Sequence, residues 1–115
     1  MNELTQDVNL RQAILAAIYT QPAIGLAILF GSLADGKEGS GSDLDLAVDA
    51  GRRLTAGEKM ALIAELAGRT GRPIDLVDIQ AVGEPLLGQI LRYGKRILGS
   101  DAHYASLIRR HLFDQ

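Results

Sequence analysis

Leu29-Phe30-Gly31-Ser32-Leu33-Ala34-Asp35-Gly36-Lys37-Glu38-Gly39-Ser40-Gly41-Ser42-Asp43-Leu44-Asp45-Leu46 is the stretch that decides how this chain is read. It joins the end of a nearly continuous apolar run, Ala23–Phe30, to a segment that alternates, Asp43–Asp49. The first is expected to be a buried strand and the second a strand with one polar face. Residues 31–42 between them form a Gly/Ser-rich loop, with room for one helical turn after Ser32. Asp43 and Asp45 are two apart, so both carboxylates leave the same face, about 7 Å apart along the strand. Leu44, Leu46 and Val48 leave the other, toward a core. Two neighbouring carboxylates repel unless a cation sits between them. Hard oxygen ligands in this arrangement suit Mg²⁺, which takes one or two protein carboxylates and fills its other positions with water and phosphate oxygens.

Working outward, the pattern alternates helix and strand. Residues 5–20 carry Val8, Ile14, Leu15, Ile18 and Tyr19 at helical spacing, and Pro22 ends the helix. Thr55 and Glu58 form a capping box that opens a helix over 56–69, with Leu62, Ile63 and Leu66 inward; Gly71 and Pro73 close it. Pro73–Ile79 reads as a third strand. Residues 84–93 read as a helix with Leu86, Leu87, Ile90 and Leu91 inward, and Lys95–Leu98 as a short edge strand. Ser100 caps a last helix running to about 113, with Tyr104, Leu107, Ile108 and His111 on its stripe. The expected architecture is α/β (α+β): a small mixed β-sheet of three to four strands packed with helices.

A third carboxylate on a neighbouring strand completes a metal site, and Pro73–Ile79 offers Asp75 or Asp78. They have opposite parity, so only one shares the face of the pair. Asp75 is the choice, because it lies mid-strand among apolar residues where an unpaired charge is expensive. Gly31 lets a phosphate approach the backbone, Ser32 adds a hydroxyl, and N–H groups of a helical turn would point at the anion. A phosphate cradle beside paired metal carboxylates is the equipment of two-metal phosphoryl or nucleotidyl transfer. An Asp-x-Asp pair alone is equally what a solvated strand edge capped by Ser42 carries. Its coupling to Gly31-Ser32 is what favours a site. The loop glycines lead into a strand, whereas a dinucleotide fingerprint opens a helix.

This segment resembles the polymerase-β-type nucleotidyltransferase superfamily, whose mark is apolar-Gly-Ser, a loop, then Asp-apolar-Asp on a strand. Ten residues separate Ser32 from Asp43 here. Length and element order look most like the minimal nucleotidyltransferases, the MNT proteins. The resemblance implies a polymerase-β-like core over nearly the whole chain. It implies Asp43, Asp45 and Asp75 as catalytic residues and Mg²⁺ ligands, with Asp75 activating the attacking hydroxyl. Gly31, Ser32, Ser42 and Lys37 become the nucleotide-binding residues. ATP is the implied substrate. The implied partner is a HEPN ribonuclease toxin, modified with AMP on a tyrosine hydroxyl by an enzyme acting as its antitoxin. Many relatives carry basic residues just after Gly-Ser, where this chain has Leu33 and Asp35. Two alternatives follow: a weakly active module that silences a partner by occlusion, or a transferase acting on an aminoglycoside-type small molecule.

Composition agrees with this reading. The 115 residues carry a net charge of −2 and no cysteine, excluding a disulfide framework and a thiol nucleophile. With aromatics at 4% and no basic excess, direct nucleic-acid binding is not expected. No apolar run is long enough to span a bilayer and the N-terminus does not read as a secretion signal, so a cytoplasmic protein with one domain, 1–115, is expected. Between residues 35 and 49 five acids face one base, Lys37. Tyr19, Tyr93 and Tyr104 read as packing residues. His111 reads as a core-edge or interface residue, and Arg109 and Arg110 as a solvated face or a partner dock.

Overall fold

A computed structural model describes residues 3–31 and 43–113, the side chains of residues 3–7 excepted. Helix α1 covers Glu3–Ile18 and β1 covers Leu26–Phe30. They are followed by β2 (Leu44–Asp49), α2 (Ala56–Thr70), β3 (Ile74–Asp78), α3 (Leu86–Tyr93), β4 (Lys95–Leu98) and α4 (Asp101–Phe113). Every expected element in the described residues is present, with ends shifted by one to three residues. The apolar run enters its strand late because Ile24 N–H turns back to the Gln21 carbonyl at 3.0 Å. The expected capping box is formed at α2: Glu58 N–H donates to the Thr55 hydroxyl at 3.1 Å and Thr55 N–H to Glu58 at 2.9 Å. Arg52 and then the Thr55 N–H hold the Glu58 carboxyl down at about 2.

The sheet order is β3-β2-β1-β4. β1 pairs antiparallel with both β2 and β4, while β2 and β3 run parallel through the α2 crossover. Both faces are covered. On one, α1 (Ile14, Ile18) and α2 (Leu62, Leu66) bury Leu44, Leu46 and Val48. On the other, α3 (Leu87, Ile90) and α4 (Leu107) cover Leu26, Ile28 and Ala47. Each fully buried Leu or Ile contributes about 1.5–3 kcal/mol, so the polar groups that interrupt these faces must be there for another reason. Helix α3 ends close on the sheet because Gly94 has no side chain: a Cβ there would stand 2.4 Å from the Ile28 Cγ2.

Several side chains depart from expectation. Tyr19 and Tyr93 are 65% and 63% exposed, and Val8 is exposed too. Of the three tyrosines only Tyr104 packs in, with its hydroxyl donating to the Leu91 carbonyl at 3.1 Å. Arg110 is not on a solvated face: its guanidinium donates to the Ile79 carbonyl at 2.7 Å and to that of Val82. It ties α4 to the chain leaving β3. His111 contacts the Glu84 carboxylate, which places it at the α3–α4 edge. No helix among the described residues is long and apolar enough to cross a membrane.

Candidate active site

Strand register brings the carboxylates together. Asp45 stands opposite Phe30 of β1 on one side and opposite Asp75 of β3 on the other. Adjacent strands lie about 4.8 Å apart, so Asp45 and Asp75 are direct neighbours on the α3 side of the sheet. Asp43 lies two residues earlier, just before β2 begins. Asp45's carboxyl is pushed up from its ordinary range by partial burial first, then by the charge of Asp75 and a hydrogen bond with it, then by Asp43. Two carboxylates can share a hydrogen bond only when one of them holds a proton. Two acids from different strands thus meet, with the third within electrostatic reach.

Asp75, and not Asp78, shares the face of Asp45, while the expected burial is reversed between the two. Asp75 is exposed, whereas Asp78 is only 7% exposed. Asp78 pairs in register with Val48, on the α1–α2 side of the sheet. There it accepts from Leu54 N–H at 2.8 Å and Gln80 N–H at 3.0 Å, pinning the loop into α2. Its charge is satisfied by backbone and it points away from Asp45.

Gly31 closes the site from the side of β1. Its φ is +72°, and a Cβ there would lie 2.1 Å from the Asp45 carboxylate. Two constraints therefore coincide on one residue: a left-handed backbone and a carboxylate resting where a side chain would be. Gly31→Ala is expected to destabilise the fold by about 1–2 kcal/mol from the backbone alone. It also displaces the Asp45 carboxylate. Urea unfolding read beside an activity assay checks both effects, and the loss of activity should exceed what the loss of stability accounts for. Ser32, Lys37 and Ser42 lie outside the described residues.

The donor set suits a hard divalent cation: three carboxylate groups, two in cross-strand register and one from the segment entering β2, whose mutual repulsion such an ion would relieve. Among the described residues no three acids or histidines are closed around one point. Asp75 reaches Asp45 through a hydrogen bond, while Asp43 acts on it through its charge.

A second polar cluster lies on the same face at the far end of the sheet, and sequence patterning gave no hint of it. Asp49 is 2% exposed and opposite Leu26. It accepts from Gly51 N–H and from the Gln80 amide, each at 2.8 Å, and lies 2.7 Å from His103 Nε2 of α4. Burial pushes its carboxyl up, but the bonds from Gln80, His103 and Gly51 outweigh that and leave it below its ordinary range. This cluster fastens α4 to the sheet.

A pocket of about 380 Å³ opens beside Gly31, lined by Phe30, Gly31, Leu86, Gln89 and Tyr93. A separate groove of about 730 Å³ between α3 and α4 shares Gln89 and Tyr93 with it.

This fold and carboxylate arrangement define a class: the chain belongs to the polymerase β nucleotidyltransferase family, whose model matches residues 12–103. Within it, the chain is 33% identical over 79 residues to the protein adenylyltransferase MntA of Shewanella oneidensis, covering 69% of this chain and 57% of that protein. The chain thus matches little more than half the length of that curated relative. A toxin–antitoxin crystal structure with AMP-PNP superposes with a TM-score of 0.82 at 26% identity, covering 90% of this chain and 84% of the other. A tri-AMPylated Shewanella oneidensis HEPN toxin in complex with MNT antitoxin gives 0.72 at 25% identity, covering 94% and 87%. The structure of a minimal nucleotidyltransferase gives 0.64 at 29% identity, covering 82% and 94%.

Proposed function

We propose that this protein is an Mg²⁺-dependent adenylyltransferase that moves AMP from ATP to a tyrosine hydroxyl of a HEPN-type toxin. It would act in the cytoplasm as that toxin's antitoxin. The observation that carries the reading is the cross-strand register of Asp45 and Asp75 beside Gly31. The MntA relative and the toxin–antitoxin structures support the partner and the nucleotide.

In this reading Asp43, Asp45 and Asp75 hold Mg²⁺, which when bound offsets charge on the phosphoryl oxygens and lowers the barrier to displacement. Gly31 and the loop residues Ser32, Lys37 and Ser42 hold the triphosphate. Asp75, the more exposed of the paired acids, accepts the proton of the incoming tyrosine hydroxyl. The tyrosine oxygen forms its bond to the α-phosphorus, and the bond from that phosphorus to the bridging oxygen breaks, releasing pyrophosphate.

The test is to incubate the protein with a separately purified HEPN-type toxin, ATP and Mg²⁺, then weigh the toxin intact. A mass gain of one or more whole AMP units, mapped to a tyrosine, is expected. An unmodified toxin that is nonetheless silenced would favour neutralisation by occlusion.

A further inference from the structure

Resting on that adenylyltransferase reading, we infer that the groove between α3 and α4 is the docking site of the acceptor protein, and that it takes an acidic amphipathic helix of that protein. A surface helix ordinarily turns its apolar stripe to the core, yet Leu107 is the one buried residue of α4. Polar bonds fasten the inner side of this helix: His103 meets Asp49 at 2.7 Å, and Arg110 donates to the carbonyls of Ile79 and Val82. Tyr104, Ile108 and Leu112 recur every four residues and so form one face. Tyr104 and Ile108 line the groove, and Ile108 and Leu112 are exposed. Seven large apolar or aromatic side chains are exposed among the described residues, and four of them, Tyr93, Ile108, Leu112 and Phe113, stand on these two helices. Exposed apolar surface concentrated in this way marks a site of association.

Shape and charge select the occupant. Tyr104 and Leu112 stand about 12 Å apart along the helix axis, so the apolar face outruns a small ligand and matches two turns of a third helix laid in the groove. The acid of the groove, Glu84, is satisfied within the fold: one carboxylate oxygen meets His111 and the other accepts from Gly88 N–H at 3.0 Å. Its guanidinium, Arg92, lies over the Tyr93 ring at 6.0 Å and has no carboxylate partner among the described residues. In a chain of net charge −2, an uncompensated cation beside aromatic and apolar surface calls for a partner helix with a carboxylate opposite Arg92. Position selects the acceptor. Gln89 and Tyr93 line both this groove and the pocket at Gly31, so a protein held here lies beside the carboxylates that would act on it.

The test follows AMP transfer by the full chain across concentrations of a separately purified HEPN-type toxin, with ATP and Mg²⁺. Ile108→Ser combined with Leu112→Ser should raise KM for the toxin roughly tenfold or more, while kcat and KM for ATP stay as in the wild type. Arg92→Glu should also raise KM for the toxin and lessen its dependence on salt. Met60→Ser, an exposed position on α2, should change neither constant. Circular dichroism verifies that each variant is folded. Hydrogen exchange of the complex should slow in α3 and α4. An unchanged KM for the toxin in the double variant, or slowed exchange confined to α1 and α2, overturns the docking site and leaves the enzymatic reading standing. A wild-type dimer in sedimentation that the double variant dissociates, with toxin binding intact, gives the groove to a second copy of the chain and overturns the site as well. An unchanged salt dependence in Arg92→Glu overturns the acidic character given to the partner helix. A wild-type chain that neither binds nor modifies the toxin overturns both readings.

Discussion

Asp45→Asn is expected to lower AMP transfer by on the order of 10²- to 10⁴-fold while leaving the protein folded and no less stable. The two halves of this expectation have one cause. Asp45's carboxyl is held above its ordinary range by partial burial and by the charges of Asp75 and Asp43, so its ionised form is costly in the folded chain. An amide of the same shape removes the repulsion. It also removes an anionic oxygen from the proposed metal site, and a neutral amide oxygen is a poorer ligand for a hard cation. Activity and stability should therefore move apart, as they do where a site is kept under electrostatic strain. Thermal unfolding and intact-mass kinetics on one preparation check the pair of results. A large loss of stability would mean that Asp45 is a structural residue. Full activity would remove it from the chemistry.

The second large effect lies away from the chemistry. Asp49→Ala should destabilise by about 3–5 kcal/mol, because removing one partner of a buried network leaves the others unpaired. His103, the Gln80 amide and Gly51 N–H would all lose their acceptor. For a chain of this size the melting temperature should fall by on the order of 10–20 °C. The pH dependence has a definite sign. Asp49's folded pKa lies below its ordinary value, so between the two values the unfolded chain binds more protons. The stabilisation is complete above the unfolded value, near pH 4, and is lost as pH falls through the folded one. Asp49→Asn keeps the shape and one acceptor oxygen, so it should cost less than alanine and flatten the acid limb of stability against pH. Denaturant unfolding from pH 3 to 7 distinguishes the three proteins.

What could be read from the residues was mostly what depends on neighbours along the chain. The parity of Asp43 and Asp45, the capping box at Thr55 and Glu58 and the strand–loop–strand order are local, and where the structure describes them they stand as expected. A mid-strand acid such as Asp75 is expected to be the buried one of the two, and the structure buries Asp78 instead. The end of β3 is covered by the loop into α2, so Asp78 is the buried one and the backbone satisfies it. No pattern within residues 73–79 could show that. Tyr93 and Arg110 depart from their expected surroundings for a similar reason. Each lies on a helix with an apolar stripe, and its environment is set by a neighbour far along the chain: the end of β1 for Tyr93, the segment after β3 for Arg110. Asp49 looked like one more acid in an acidic stretch until α4 brought His103 against it. The loop residues Ser32, Lys37 and Ser42 carry roles implied by resemblance and lie outside the described residues.

The parallel pairing of β2 with β3 has a consequence for the order of events in a newly made chain. Asp45 and Asp75 become neighbours only after residues 50–73 have crossed over the sheet and β3 has docked, and such non-local parallel pairing forms more slowly than local structure. A chain that has closed only the β1–β2 hairpin has Asp43 and Asp45 but lacks the third acid. Assembly of the carboxylate cluster is therefore a late step, and a half-finished molecule carries the Gly31 side of the site and two of its acids before it carries the third.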